Sequence, residues 1–319
     1  MPKTLIEYAE WLALRDDLIW PIAPEQVARK AEPKLKPLPG IKAVAWNVYG
    51  TLLRITDGDL LLLPDQPLRM QVALEKTIKE FNMWHSMTRK SMAPWEQLLA
   101  QYKDELHEMQ TIAPAEKGDV GQVDVRRLWR KLLSKLELKE YTYDVDFYGD
   151  ATEYAEKVAF FFHSCLQGVA AMNKAASVVK GIAEAGLAQG LLSDGQSFTL
   201  VQLLRAFQAT TKLPSLKGFF TPGCVTLSYD VGVKKPSRTL FVNALDAFSR
   251  LGLEPAEVLY VSSYWPDDLT VAKQLGFRTA LFAGDKNSVR ADAEEMFTSN
   301  LRPDRLLNDL AQIRNVLEA

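Results

Sequence analysis

The sequence predicts an α/β protein: a Rossmann-like, three-layer parallel sheet carrying one large α-helical insertion. Three observations point there. After residue 172, short apolar segments alternate with helical periods, the rhythm of strands buried on both faces by helices. From about Leu53 to Met172 the apolar spacing is almost wholly helical. Polar and small residues gather where each predicted core strand ends, the edge at which parallel sheets bind ligands. With 319 residues the chain exceeds one typical domain and is short for three. The expected division is a core of residues 1–54 and 173–319, with 1–40 an N-terminal helical extension, and a helical domain of 55–172.

The elements follow in order. Leu5, Tyr8, Trp11 and Leu12 are spaced for a helix over residues 4–16. Residues 33–40 form a stiff linker, because Pro33, Pro37 and Pro39 forbid a regular helix. Ala43-Val44-Ala45-Trp46 then reads as a strand ending at Asn47. In the helical block, Val72, Ile78 and Phe81 mark one stripe near 67–83, and Trp95, Leu98, Leu99, Tyr102 and Leu106 another near 94–109. A third near 123–136 carries Val125, Leu128, Trp129, Leu132, Leu133 and Leu136. A polar loop covers 113–121, and a helix near 151–170 holds Phe160, Phe161 and Phe162. These aromatic stripes read as core packing. The second half places helices near 174–185, 197–208, 238–250 and 267–275, and strands at 190–192, 224–227, 258–261 and 278–282. A last helix is expected near 304–317.

Bulk composition narrows the function. The chain is 47% hydrophobic and 24% charged with net charge −2, so it lacks the basic stripe that nucleic-acid binding needs. No apolar run approaches the ~20 residues of a membrane span. The segment Met1 to Glu7 has no hydrophobic block and does not read as a secretory signal. Cys165 and Cys224 stand alone and read as reduced, buried thiols, so a soluble cytoplasmic protein is expected. His85, His107 and His163 lie in the insertion at no metal-binding interval and read as packing or surface residues.

Four strand tips carry the chemistry. The first, Asn47-Val48-Tyr49-Gly50-Thr51, is a strand running into a glycine turn and a hydroxyl. The second, Ser193-Asp194-Gly195, offers Ser193 Oγ and free backbone N–H groups to an anion before a helix. In the third, Lys235 before Pro236 can neutralise a carboxylate or a transferring phosphoryl group. The fourth, Ser262-Ser263-Tyr264-Trp265-Pro266-Asp267-Asp268, ends in a carboxylate able to hold a metal or orient a water. Each alone is bland: a solvated turn, an N-cap or a strand end. Their order is the signal.

In that order, each at a strand end, the four segments resemble the motifs of the haloacid dehalogenase-like (HAD) superfamily across nearly the whole core. The resemblance implies a C1-type helical cap between the first two motifs, here about 120 residues and larger than the dehalogenase version. It implies catalytic positions at Asn47, Tyr49, Thr51, Ser193, Lys235 and Asp268, and substrate contacts from Gly50, Asp194, Gly195 and Ser263. It also implies Mg²⁺ held by the residue at Asn47, the carbonyl of Tyr49 and Asp268. Helix phasing against Val271-Ala272 favours Asp268 over Asp267 as the fourth-motif aspartate.

The departures shape the expectation. Tyr49 stands where phosphatases of the superfamily carry a second aspartate, and Ser262-Ser263 is similar to the metal-independent dehalogenase form. Phe241 replaces that branch's tyrosine, and Asp194 its asparagine. Asn47 stands at the aspartate nucleophile, where covalent catalysis needs an anionic oxygen. An amide also brings two N–H donors where acceptors are required, and one remaining carboxylate is marginal for Mg²⁺. The sequence thus predicts weak or absent Mg²⁺, no other cofactor, and a HAD-like hydrolase homologue impaired or inactive at Asn47. It keeps a cleft for a small anion, a phosphate ester or carboxylate. An active phosphatase or 2-haloacid dehalogenase working through an aspartyl-enzyme-like intermediate is the alternative. The loop Thr56-Asp57-Gly58-Asp59 is expected to overhang the site. Trp84, Trp95 and Trp129 offer a homodimer surface through the cap.

Overall fold

In the computed structural model, residues 1–87 and 92–317 are described; 88–91 of the expected insertion and 318–319 of the expected core lie outside them. The chain opens with α1 (Leu5–Ala13), capped by a reciprocal Thr4–Glu7 box, and reaches β1 (Ala43–Trp46) after an irregular strap. A short β2 (Leu53–Ile55) leads into α2 (Pro67–Glu80), α3 (Pro94–Gln110), β3 (Val120–Gly121), α4 (Val125–Glu137), α5 (Val145–Tyr148) and α6 (Ala151–Leu166). The return strand β4 (Val169–Ala171) pairs antiparallel with β2, so the chain enters and leaves the helical lobe side by side.

The second half supplies α7 (Ala175–Glu184), β5 (Ala188–Ser193), α8 (Thr199–Gln208), β6 (Val225–Leu227), α9 (Ser228–Val231) and β7 (Val233–Lys234). Then come α10 (Arg238–Ser249), β8 (Val258–Ser262), α11 (Thr270–Gln274), β9 (Arg278–Phe282), α12 (Ala293–Thr298), β10 (Arg305–Leu307) and α13 (Ile313–Leu317). The described residues form a six-stranded parallel sheet in the order β10-β9-β8-β1-β5-β6.

Strand alternation builds the three layers. Val44 and Trp46 of β1 face a core with α7, α8 and α13, whereas Ala43 and Ala45 face the core under α10 and α11. The helical insertion has its own core, in which Leu128, Trp129, Leu132 and Leu133 of α4 meet Phe161 and Phe162 of α6. Tyr8 and Leu12 of α1 join that helical core rather than the sheet.

Three local expectations change. The expected last helix over 304–317 begins as strand β10, which pairs with β9 before the short α13. Val72 is exposed rather than on the buried stripe of α2, where Met70, Ala73, Leu74 and Ile78 do that work. Of the three tryptophans, Trp129 is core, Trp95 packs at its edge and Trp84 is exposed. Among the described residues no helix is long and apolar enough to cross a membrane.

Candidate active site

Strand β1 lies between β5 and β8, and all three end on the same side, so tips distant in sequence meet there. Asn47, just past β1, donates its backbone N–H to Val261 O of β8 at 2.9 Å. Its side chain is almost fully buried. Oδ1 accepts from Lys235 Nζ at 2.8 Å and from Ser193 Oγ at 2.9 Å. Nδ2 donates to the carbonyl of Tyr49 at 2.7 Å. Lysine can only donate and a carbonyl can only accept, so these partners fix which way the amide points.

Lys235 is the hub. Its Nζ also reaches Tyr260 Oη at 2.9 Å and Asp268 Oδ2 at 2.8 Å. That Asp268 oxygen accepts from Ser262 Oγ as well, whereas Oδ1 is buried with no protein partner. The turn over Trp265–Leu269 is a wide π turn, in which Leu269 N–H bonds Tyr264 O at 3.3 Å. It turns Asp268 inward and leaves Asp267 exposed.

The remaining predicted residues divide. Thr51 Oγ1 accepts from Ser263 N–H at 3.1 Å, tying the first tip to the fourth. Gly50 has φ +80°, and a Cβ there would sit 2.7 Å from Ser263 Oγ, so glycine is required for the close approach. Tyr49 lends only its carbonyl. Its hydroxyl donates to Gln202 Oε1 at 2.6 Å and lies 3.0 Å from Thr199 Oγ1, both on α8. Gly195 N–H donates to Ser228 Oγ at 3.0 Å, so that amide is already engaged. Phe241 is fully buried edge-on to Tyr260, filling space beside the lysine.

A cavity of about 320 Å³ opens beside this cluster, lined by Asp194, Gly195 and Gln196 from the core and by Asp59 and Gln122 from the insertion. Burial raises the Asp194 carboxyl to about 6, against the opposing pull of Lys235. Burial likewise pushes Asp59 up, with Arg290 pulling it back down. The loop over 56–59 is split in its contacts: Asp59 lines the cavity, Gly58 O accepts from Tyr264 Oη at 2.6 Å, and Asp57 pairs with Arg69.

The donor set does not fit a Mg²⁺ ion. The Asn47 amide puts N–H where a cation would meet the Tyr49 carbonyl, Ser263 offers a neutral hydroxyl, and the charge of Asp268 is compensated by an ammonium. Among the described residues no group of three His, Cys, Asp or Glu side chains could hold a metal. His85 and His107 are exposed. His163 is buried against Phe162 and Phe198 with neither nitrogen bonded, and burial lowers its pKa to about 3.

Tyr260 was not singled out by sequence reasoning, and Ser262 entered only as part of the fourth segment, with no role of its own. They share one face of β8 by alternation with Val258, and a hydroxyl pair on a buried strand face is the signal that could have found them.

This architecture is similar to solved structures. A 2-haloacid dehalogenase from Pseudomonas syringae pv. Tomato DC3000 matches at 19% identity and TM-score 0.52, over 86% of this chain and 96% of that one. The magnesium-bound HAD-hydrolase YfnB from Bacillus subtilis matches at 17% identity and TM-score 0.45, over 88% and 99%. A HAD phosphatase from Thermococcus onnurineus matches at 15% identity and TM-score 0.46, over 86% and 96%. No protein-family model matches the chain, and no curated protein does. The chain has the haloacid dehalogenase-like fold, with a helical lobe set into a parallel α/β core.

Proposed function

We propose that this chain is a HAD-like hydrolase homologue that binds a small anion in the cleft beside Lys235 and is impaired in covalent hydrolysis at Asn47. The observation that carries this reading is the bonding of the Asn47 amide. Its oxygen is neutral and already accepts from Lys235 and Ser193, and its nitrogen donates to the Tyr49 carbonyl. A group so engaged has neither the charge nor the free lone pair for in-line attack on phosphorus or carbon. Loss of a nucleophile removes several powers of ten in rate.

The same cluster suits anion binding. Lys235 supplies an ammonium that it shares with Asp268, and the buried hydroxyls of Ser193 and Ser263 stand beside Asn47 and Thr51. The ligand classes this favours are phosphate monoesters and short 2-halocarboxylates. The buried free thiols of Cys165 and Cys224 suit a reducing cytoplasm.

An active hydrolase using another carboxylate is the competing reading, favoured by Asp59 and Asp194 lining the cavity. One assay decides between the two. Aryl phosphates and 2-haloacids are offered to the parent, Asn47→Asp and Asn47→Ala proteins, with and without Mg²⁺. The impaired reading expects turnover only from Asn47→Asp. Ordinary enzyme rates from both the parent and Asn47→Ala would overturn it.

A further inference from the structure

We propose that a second cavity, walled by the N-terminal strap and the two crossover strands, binds an organic monocarboxylate with an apolar body. The cavity is about 560 Å³, within the range of small-molecule sites. Trp20 and Pro21 of the strap roof it, Leu12 of α1 and Phe160 of α6 form one wall, and Arg54 and Arg205 stand on β2 and α8.

The charge is one-sided. Among the described residues no aspartate or glutamate lines the cavity, whereas Arg54, Lys174 and Arg205 do. Lys174 is paired with Asp309 at 2.5 Å, and Arg205 Nη1 donates to Gln208 at 3.0 Å. Arg54 is different. Its neighbours Leu53 and Ile55 face the core, so alternation turns Arg54 to the other side, where its Nε is sealed from water without a hydrogen-bond partner. Among the described residues no carboxylate lies within 4 Å of it. Arg54 makes no ion pair among the described residues, and a carboxylate in the cavity that it lines would supply the missing counter-charge.

The strap is built to close on this space. A Cβ at Gly168 would lie 2.4 Å from the carbonyl carbon of Ile22, so only glycine lets the strap press against the start of β4. An occupant would rest on β2 and β4, through which the chain enters and leaves the helical lobe. It would also sit against Gln202, which holds the Tyr49 hydroxyl.

Isothermal titration with decanoate tests the proposal, with decanol as the uncharged control and melting temperatures confirming that each variant is folded. Decanoate is expected to bind at least tenfold more tightly than decanol. Arg54→Gln is expected to weaken it at least tenfold. Ala209→Trp, which fills the cavity from an exposed rim position, is expected to do the same without touching the arginine. Asn47→Asp, which adds negative charge to the other cleft, is expected to leave decanoate affinity unchanged. Equal binding of decanol, unchanged affinity in Arg54→Gln or Ala209→Trp, a loss in Asn47→Asp, or no decanoate binding below millimolar concentration would each overturn the assignment.

Discussion

Lys235 Nζ lies 2.8 Å from Asp268 Oδ2, with both side chains almost sealed from solvent. The pair joins the loop after β7 to the turn after β8, and it persists because other donors and acceptors surround it. Tyr260 and Ser262 add hydroxyls, and Asn47 Oδ1 takes another of the ammonium's protons. Buried ion pairs gain little over apolar packing, yet breaking one strands a charge. The cluster is therefore a unit.

Lys235→Met is expected to destabilise the protein by about 3–5 kcal/mol, because Asp268 is left as an uncompensated buried carboxylate. Adding Asp268→Asn should recover much of that loss. Urea denaturation of the two singles and the double gives the coupling, and simple additivity would mean the pair is not the cause.

Magnesium should distinguish Asn47 from aspartate. In the parent, the amide N–H satisfies the Tyr49 carbonyl, so millimolar Mg²⁺ is expected to leave the melting temperature unchanged. In Asn47→Asp an acceptor would face that carbonyl, and a cation resolves the conflict. Mg²⁺ at 100 times its Kd would add about 2.7 kcal/mol, read as a rise of several degrees. Equal responses from both proteins would contradict the donor-set argument.

Asp194 sets a pH dependence. Its folded pKa of about 6 lies above the ordinary 3.8, so the folded state holds the proton more tightly than the unfolded chain. The sign follows: its contribution to stability is fully present below pH 3.8 and is lost as pH rises through about 6. The full cost is on the order of 3 kcal/mol. Asp194→Asn keeps an oxygen able to accept from Lys235 N–H and should melt higher than the parent at pH 8 but not at pH 4. Sulfate, whose charge is constant in this range, should bind the parent more tightly at pH 5.5 than at 7.5, and the variant should show a smaller difference, with Asp59 on the same cavity supplying what remains.

Tyr49→Phe should cost about 1–2 kcal/mol by leaving Gln202 without its 2.6 Å donor. Sulfate affinity should stay within a factor of two, because the hydroxyl bonds α8 and not the cleft. A tenfold loss of affinity would place the phenol in the site instead.

The parts of the fold that were legible rest on local periodicity. Ala43–Trp46, Leu191-Leu192 and Val258–Val261 are apolar runs too short for helices, and each breaks into polar residues that sheet geometry gathers at one end. The misread tail shows the limit. Leu306, Leu310, Ile313 and Leu317 are spaced as a helix, but the edge of β9 offers backbone hydrogen bonds that draw Arg305–Leu307 into the sheet. Helix phasing favoured Asp268 over Asp267, and Asp268 is the buried one, although the wide turn that carries it has hydrogen bonds that no side-chain pattern displays.

The order and spacing of residues determined the layered sheet, the inserted helices and the uncharged group at position 47, since these depend only on near neighbours and on side-chain chemistry. Tertiary structure alone decided that the Asn47 amide turns its oxygen to Lys235 and its nitrogen to Tyr49, and that Tyr260 stands beside the lysine. It also left Arg54 facing a cavity without a counter-charge. Those are meetings of atoms up to 188 positions apart, and only the packed sheet brings them within hydrogen-bonding reach.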